Sequence, residues 1–566
     1  MARRISSASR RSIGSSRRET TLLLGGTLVL LVVRLALARL RHGPILVADE
    51  VDYLLNARVL TGGVPGELSL AGFSHGGYSL LLTPLVALHA SPATVYRLVL
   101  VVNAVLAALL APLLYALLTR VFRVPARAAV PAALVAAAYP SVTVFSQVAL
   151  AENLLLPLTV VWLLLFALVL DARSPGRAAV RAALFGFCGA ALYATHGRMI
   201  VAAALTVAAL PLLALRRRLP PLAAGAGLAV AGATIFGAHL LDRYLVSRNW
   251  GGHTASEIGT RVSSIRDVSG VLAIGRNLVG QTWYVAVAGL GVLVLAAFVD
   301  GGRVARQFRR READTRTLVL LLLLVLSAGL LVVSVLSFPT VDRPDVLIYG
   351  RYVEIVLPPL LALALVRLAK REGRGRVLPA LAVVVALTVA VAGIRAGIHP
   401  PRAPNRWNVA ALPFLTLQLG PESLVGAGVV AAGMLVVVAA LRRRAPGLLV
   451  PAVLVAFAAT TAVAVHNPVL SGDRAVYPGA WSSPAQAVQA GRIAYDRSAY
   501  DVIGLFVYQW YLPHTRFVLY PGTGRPPAPY VISSTDWARR HRGVPARVVW
   551  RDPGRDQAIF RLTRRP

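Results

Sequence analysis

Three carboxylates within four positions, Asp49, Glu50 and Asp52, stand out in a chain that carries 24 acidic residues against 59 basic ones. A carboxylate beside an apolar surface is a candidate general base, because partial burial raises its pKa while a nearby arginine limits the rise. The solvated start of a helix has the same composition, since acids favour the first helical turn. Composition alone leaves both readings standing.

Further polar residues sit at the edges of apolar blocks. Glu152 opens one such block, and a carboxylate there needs a partner, for which an arginine or a metal would serve. Arg198, Arg351 and His75 have plain readings: Arg198 as a snorkelling side chain, Arg351 as an interfacial anchor, His75 as a helix start. Asp49, Glu152 and Glu354 have the oxygen chemistry of a hard-cation site, although they lie on separate segments; no obligatory metal is expected.

The elements that carry these residues are set by hydropathy. Of 566 residues, 57% are hydrophobic, and they come in blocks of about twenty, the length a helix needs to cross hydrocarbon. Spans are expected at 21–40, 96–118, 128–147, 153–170, 182–195, 199–215, 221–240, 281–299, 317–337, 352–368, 378–396, 422–441 and 448–465, the fifth and sixth being short. The fold class is therefore an all-α polytopic membrane protein of about thirteen helices. Residues 72–90 read as a helix lying at the interface, because a further crossing there would invert every later arginine loop.

The net charge of +35 does not make a nucleic-acid binder, since the arginines fall in short clusters between apolar blocks and not along one basic face. Arg120, Arg123 and Arg127, then Arg173, Arg177 and Arg181, then Arg216 to Arg218 share one side with the N-terminal tail of residues 1–20. Arg309 to Arg311, Arg367, Lys370, Arg371 and Arg374, and Arg442 to Arg444 keep that register. The positive-inside bias makes this side cytoplasmic and puts the loop 41–95 and everything after 465 outside a cytoplasmic membrane. Cys188 is the only cysteine, so no intrachain disulfide can form.

Residues 466–566 differ in kind from the membrane portion 21–465. Strand-like runs at 516–520, 530–533, 546–550 and 558–562 follow a helical stretch at 501–512, which predicts a small extracytoplasmic α/β domain. Trp481, Trp510, Trp537 and Trp550 are there either to stack on sugar rings or, equally, to fill a core or face the membrane.

The order of motifs resembles the GT-C class of polyprenyl-phosphate-sugar-dependent glycosyltransferases, which includes protein O-mannosyltransferases and aminoarabinose transferases. Arg34 or Arg39 matches the arginine closing the first helix. Asp49, Glu50, Tyr53 and Ala57 fit a DE-x-x-Y-x-x-x-A pattern on an outer interfacial helix. His75-Gly76-Gly77-Tyr78 stands where relatives carry a His-Pro-Pro or Lys-Pro-Pro segment, without the prolines. Ala151-Glu152-Asn153 resembles a Ser-Glu motif, Thr195-His196-Gly197-Arg198 a Thr-Arg-Pro break, and Gly350-Arg351-Tyr352 with Pro358 a late Arg-Tyr segment.

The resemblance spans residues 20–376 and implies transfer, with inversion, of a sugar from a polyprenyl-phosphate donor to an envelope glycan, lipid or protein among the membrane lipids. Such chemistry needs a base, for which Asp49 is the candidate, with Glu50 orienting the acceptor or the base. It also needs donors for the departing phosphate, here Arg351, Arg198, His75 and Tyr352, with Glu152, Tyr53 and Arg34 in support. A flippase for a lipid-linked precursor is the alternative; it would place polar groups inside several spans and often shows internal repeats, and no clear repeat is present. An envelope-assembly scaffold is a third class, and it would need no acidic loop.

Overall fold

In a computed structural model of the protein, the apolar blocks become a bundle of helices with both chemistry-bearing loops and a small sheet gathered at one end. The structure describes residues 2–39, 41, 43–44, 47–251, 268–297, 314–338, 343–369, 374–400, 405–416, 419–466, 488, 491–499, 502–552 and 556–563. Arg309 to Arg311, Lys370, Arg371 and Trp481 lie outside the described residues.

Ten helices among the described residues are long and apolar enough to cross a membrane. Their exposed surface carries large apolar side chains, such as Leu24, Leu28, Val29 and Val32 on the first helix, which water would not tolerate and lipid does. The first helices are α1 (Ala2–Ala38), α2 (Val47–Leu60), α3 (Gly76–Val86), α4 (Pro92–Ala116), α5 (Ala126–Ala137), α6 (Pro140–Phe145), α7 (Glu152–Leu170), α8 (Pro175–Thr195), α9 (Ile200–Leu215) and α10 (Pro221–Asn249).

Three expected spans take a different form. The third breaks at Tyr139-Pro140 into α5 and the six-residue α6, because proline opens a new helix more readily than it continues one. The eighth starts earlier, as Val268–Ala288, and is interrupted near Leu290 and Gly291, both at positive φ. The tenth begins only at Leu357, ahead of Pro358 and Pro359. The fifth and sixth blocks, expected to be short, are helical stretches of 21 and 19 residues, long and apolar enough to cross a membrane. Pro175 starts α8 seven residues before the apolar stretch, so arginines 177 and 181 ride on its first turns.

Alternate helices run in opposite directions. The N-terminal ends of α4 and α7, the C-terminal ends of α8 and α10, and the short helices α2 and α3 therefore share one end of the bundle. Arginines 120, 173 and 216 to 218 lie at the other. At 14 and 11 residues, α2 and α3 are too short to span, as expected of interfacial helices. Small residues let α8 and α10 touch: a Cβ on Gly186 would overlap the carbonyl of Gly227.

The C-terminal segment forms a five-stranded sheet, β1 (Arg492–Asp496), β2 (Arg516–Tyr520), β3 (Tyr530–Ser534), β4 (Ala546–Arg551) and β5 (Gln557–Leu562), in the order β2-β1-β3-β5-β4. Strands β1, β2 and β3 are parallel, while β5 runs antiparallel to β3 and β4. Four strands and the helix Val502–Tyr511 follow the sequence expectation; β1 is additional.

This unit packs directly on α2. Val51 and Leu55 share a buried cluster with Phe506, Tyr508 and Ile493, and burying each of those two aliphatics contributes roughly 1.5–3 kcal/mol. Gln509 adds a two-point grip on Glu67, whose backbone N–H donates to Gln509 Oε1 at 2.5 Å and whose carbonyl accepts from Gln509 Nε2 at 3.0 Å. The helix that carries Asp49 is thus clamped between the bundle and the sheet unit.

Candidate active site

The acids of α2 diverge because consecutive helical residues point about 100° apart. Asp49 faces the end of the bundle with its side chain 42% exposed. Glu50 is fully buried and accepts from the Tyr96 hydroxyl at 2.6 Å and from the Ala149 N–H at 2.7 Å, which ties α2 to α4 and to the turn before α7. Asp52 is also buried; the Ser74 hydroxyl stands 3.4 Å from its Oδ2, and Oδ1 has no partner among the described residues. Burial, reinforced by the charge of Asp49, pushes the Asp52 carboxyl well above its ordinary range.

Glu152 occupies the first turn of α7 and is completely buried. A charge there needs close partners, and it has two. Arg351 Nε lies 2.5 Å from its Oε1, and Arg198 Nη2 reaches the same oxygen at 2.9 Å. Arg351 Nη1 also pairs with Asp49 Oδ2. Residues 49, 152, 198 and 351, scattered along 300 positions, therefore form one cluster of two cations and two anions.

Local chain breaks position the arginines. His196 takes an extended conformation, φ −161° and ψ 133°, which ends α8 and turns the chain into a 3-10 turn, Gly197–Met199, that carries Arg198. Its Nδ1 accepts from the Arg198 N–H at 3.3 Å, and burial together with the Arg198 charge holds the imidazole well below its usual pKa. Arg351 lies in a turn fixed from outside: the Asn408 carbonyl accepts from the N–H of Gly350 at 2.8 Å and of Arg351 at 3.2 Å. Asp345 in turn holds the Asn408 amide at 2.6 Å. A Cβ on Gly350 would overlap the ring of Tyr284, so only glycine lets this turn approach.

Tyr352 stacks beneath Arg198, whose Cζ is 4.6 Å from the ring centroid, a cation–π contact, and the His196 ring meets the same tyrosine edge-on at 5.8 Å. Arg198 keeps Nε and Nη1 without a partner among the described residues, so it has donors to spare for an anion.

The remaining expected residues fall into place around this cluster. His75 is oriented by Asp242, with Nδ1 2.7 Å from Oδ2, and it abuts the Arg198 turn: a Cβ on Gly197 would stand 2.7 Å from His75 Nε2. Tyr53 is buried edge-on against Tyr78 at 5.2 Å. Arg34 is buried lower down and donates to the Ala137 carbonyl at 2.6 Å, tying α1 to α5, while Arg39 is exposed. Trp510 and Trp537 are buried and Trp550 half-buried.

Glu354 does not join the cluster; it accepts from the Tyr284 hydroxyl and from the Ala411 N–H. Among the described residues no three His, Cys, Asp or Glu side chains gather as metal ligands, so Asp49, Glu152 and Glu354 are not a converged cation site. Sequence reasoning missed Asp242, Asp345, Asn408 and Tyr96. The two acids had a signal: each ends or follows an apolar block in an acid-poor chain.

Neither a family model nor a curated protein matches the sequence. Solved structures do match the fold. ArnT from Cupriavidus metallidurans bound to undecaprenyl phosphate aligns with a TM-score of 0.56 at 15% identity, over 96% of this chain and 97% of that one. The apo state of the same protein aligns with a TM-score of 0.54 at 14% identity, over 96% and 98%.

Proposed function

We propose that this GT-C-fold chain is a membrane glycosyltransferase that moves a sugar from a polyprenyl phosphate to an envelope glycan, lipid or protein acceptor, at the outer face of the cytoplasmic membrane. The observation that carries the reading is Arg351 bridging buried Glu152 and exposed Asp49, with Arg198 beside it, its Nε and Nη1 unpartnered among the described residues. Similarity in fold to a protein solved with undecaprenyl phosphate supports the choice of donor.

In the resting cluster Arg351 pairs with Asp49. A donor phosphate entering between Arg351 and Arg198 competes for the guanidinium and releases the Asp49 carboxylate next to the acceptor. The acceptor hydroxyl attacks the anomeric carbon, its proton passes to Asp49, and the bond from that carbon to the phosphate oxygen breaks with its electron pair going to the phosphate. The growing phosphate charge strengthens its bonds to Arg351 and Arg198, so these residues stabilise the transition state more than the ground state. One displacement inverts the anomeric configuration.

Other residues serve this geometry. Glu152 fixes the two arginines, His75 and Tyr352 line the phosphate side, and Tyr53 packs under the acids. Glu50 anchors α2 through Tyr96 and Ala149, and thereby aims Asp49. Arg34 braces α1. Arginine placement supports a cytoplasmic N-terminus and an extracytoplasmic domain over residues 466–566.

The test is incubation of the purified protein in nanodiscs with a panel of radiolabelled polyprenyl-phosphate sugars and an envelope extract as acceptor. The reading expects sugar in the acceptor fraction and free polyprenyl phosphate in equal amount. A flippase would move the lipid across a vesicle with the sugar bond intact, and that result would reject the proposal.

A further inference from the structure

A cavity of about 390 Å³ opens where α2 ends against the sheet unit, in the size range of small-ligand sites. It is lined by Arg58 and the 61–64 turn, by His89 and the start of α4, and by Trp510 and His514 from the C-terminal unit. It is separate from the catalytic cluster: Arg58 lies nine residues beyond Asp49, about 14 Å along the helix and on its opposite side.

Arg58 is 95% buried, being 5% exposed, yet no carboxylate pairs with it among the described residues. Nη1 donates to the Gln509 carbonyl at 2.8 Å, while Nε and Nη2 have no partner among the described residues. Burial without a counter-ion pulls its pKa down to about 10. A buried cation with two unmet donors is costly unless an anion completes it. Trp510 adds a buried donor, its Nε1, that also has no partner among the described residues. His89, held at φ +51° where L residues rarely sit, and His514 flank the opening as exposed side chains.

The geometry points to a binding site for an acidic sugar, one bearing a phosphate or carboxylate, belonging to a distal part of the acceptor. Arg58 takes the anionic group, Trp510 and the two histidines take hydroxyls, and the clamp between α2 and the sheet unit is what forms the pocket. The reacting end of the same acceptor then extends to Asp49. This rests on the glycosyl-transfer reading, but binding is measured without donor, so the two fail separately.

The experiment uses the full chain in phosphatidylcholine nanodiscs, titrated calorimetrically with glucose 1-phosphate, glucuronate, neutral glucose and inorganic phosphate. The charged sugars are expected to bind and glucose to bind at least tenfold more weakly. Arg58→Gln weakens the charged sugars about tenfold or more, and His89→Ala with His514→Ala, both on exposed side chains, weakens them severalfold in a protein of unchanged Tm. Arg351→Gln leaves this binding intact. Glucose binding as tightly as glucose 1-phosphate would overturn the inference. So would affinity insensitive to the histidine pair, loss in Arg351→Gln, inorganic phosphate binding as tightly as the charged sugars, or binding only to nanodiscs doped with an anionic lipid.

Discussion

Arg351 Nε stands 2.5 Å from Oε1 of Glu152, a residue 199 positions earlier, and this buried pair joins the two halves of the membrane bundle at the site. Glu152 also neutralises Arg198. Glu152→Gln removes the shared anion and leaves two buried guanidiniums side by side. A loss of about 3–5 kcal/mol of stability is expected, read as a fall in Tm. Transfer should drop by about 100-fold or more in the surviving folded fraction, with partial recovery in Glu152→Asp.

Arg351 uses Nε, Nη1 and Nη2 on two carboxylates, a fork that an ammonium cannot copy. Arg351→Lys should therefore keep the charge and lose the geometry. Steady-state kinetics should show kcat reduced by about 100-fold with KM for the donor changed far less, the pattern of an interaction that matures in the transition state.

The buried Asp52, with its raised pKa, predicts a pH signature. Its folded pKa is raised above the unfolded one, so its contribution to stability is fully present below the unfolded value, about 3.9, and is lost as pH rises through the folded value. Asp52→Asn should remove that loss. Thermal scans across pH 4–8 should show the variant gaining on the wild type as pH rises, with transfer activity retained.

Gly197 packs against a fixed ring, since Asp242 holds His75 from the other side. Gly197→Ala should cost about 1–3 kcal/mol and raise KM for the donor by displacing the Arg198 turn. His75→Ala in the same chain gives the new methyl room, so the double variant should recover stability relative to Gly197→Ala.

Much of this was legible in the chain itself. Blocks of about twenty apolar residues can only be helices in lipid, and acids at 49 and 152 with arginines at 198 and 351 fell at the same end once the alternation was counted. Their meeting was not legible. It depends on turns whose shape is set by distant groups: Asn408 and Asp345 holding Arg351, and the Tyr284 ring facing Gly350. Glu50 and Asp49 look equivalent in sequence; one residue of helical rotation sends the first into the core and leaves the second open. Strand β1 has an ordinary composition, and only its parallel neighbours β2 and β3 make it a strand.

In the proposed transfer the open carboxylate of Asp49 takes the acceptor proton. Asp49→Asn keeps shape and removes the base, so single-turnover transfer from a polyprenyl-phosphate sugar should slow by about 100- to 10,000-fold while affinity for polyprenyl phosphate stays within a few-fold. Transfer by the folded variant at a rate within about threefold of the wild type, well inside that range, would contradict it.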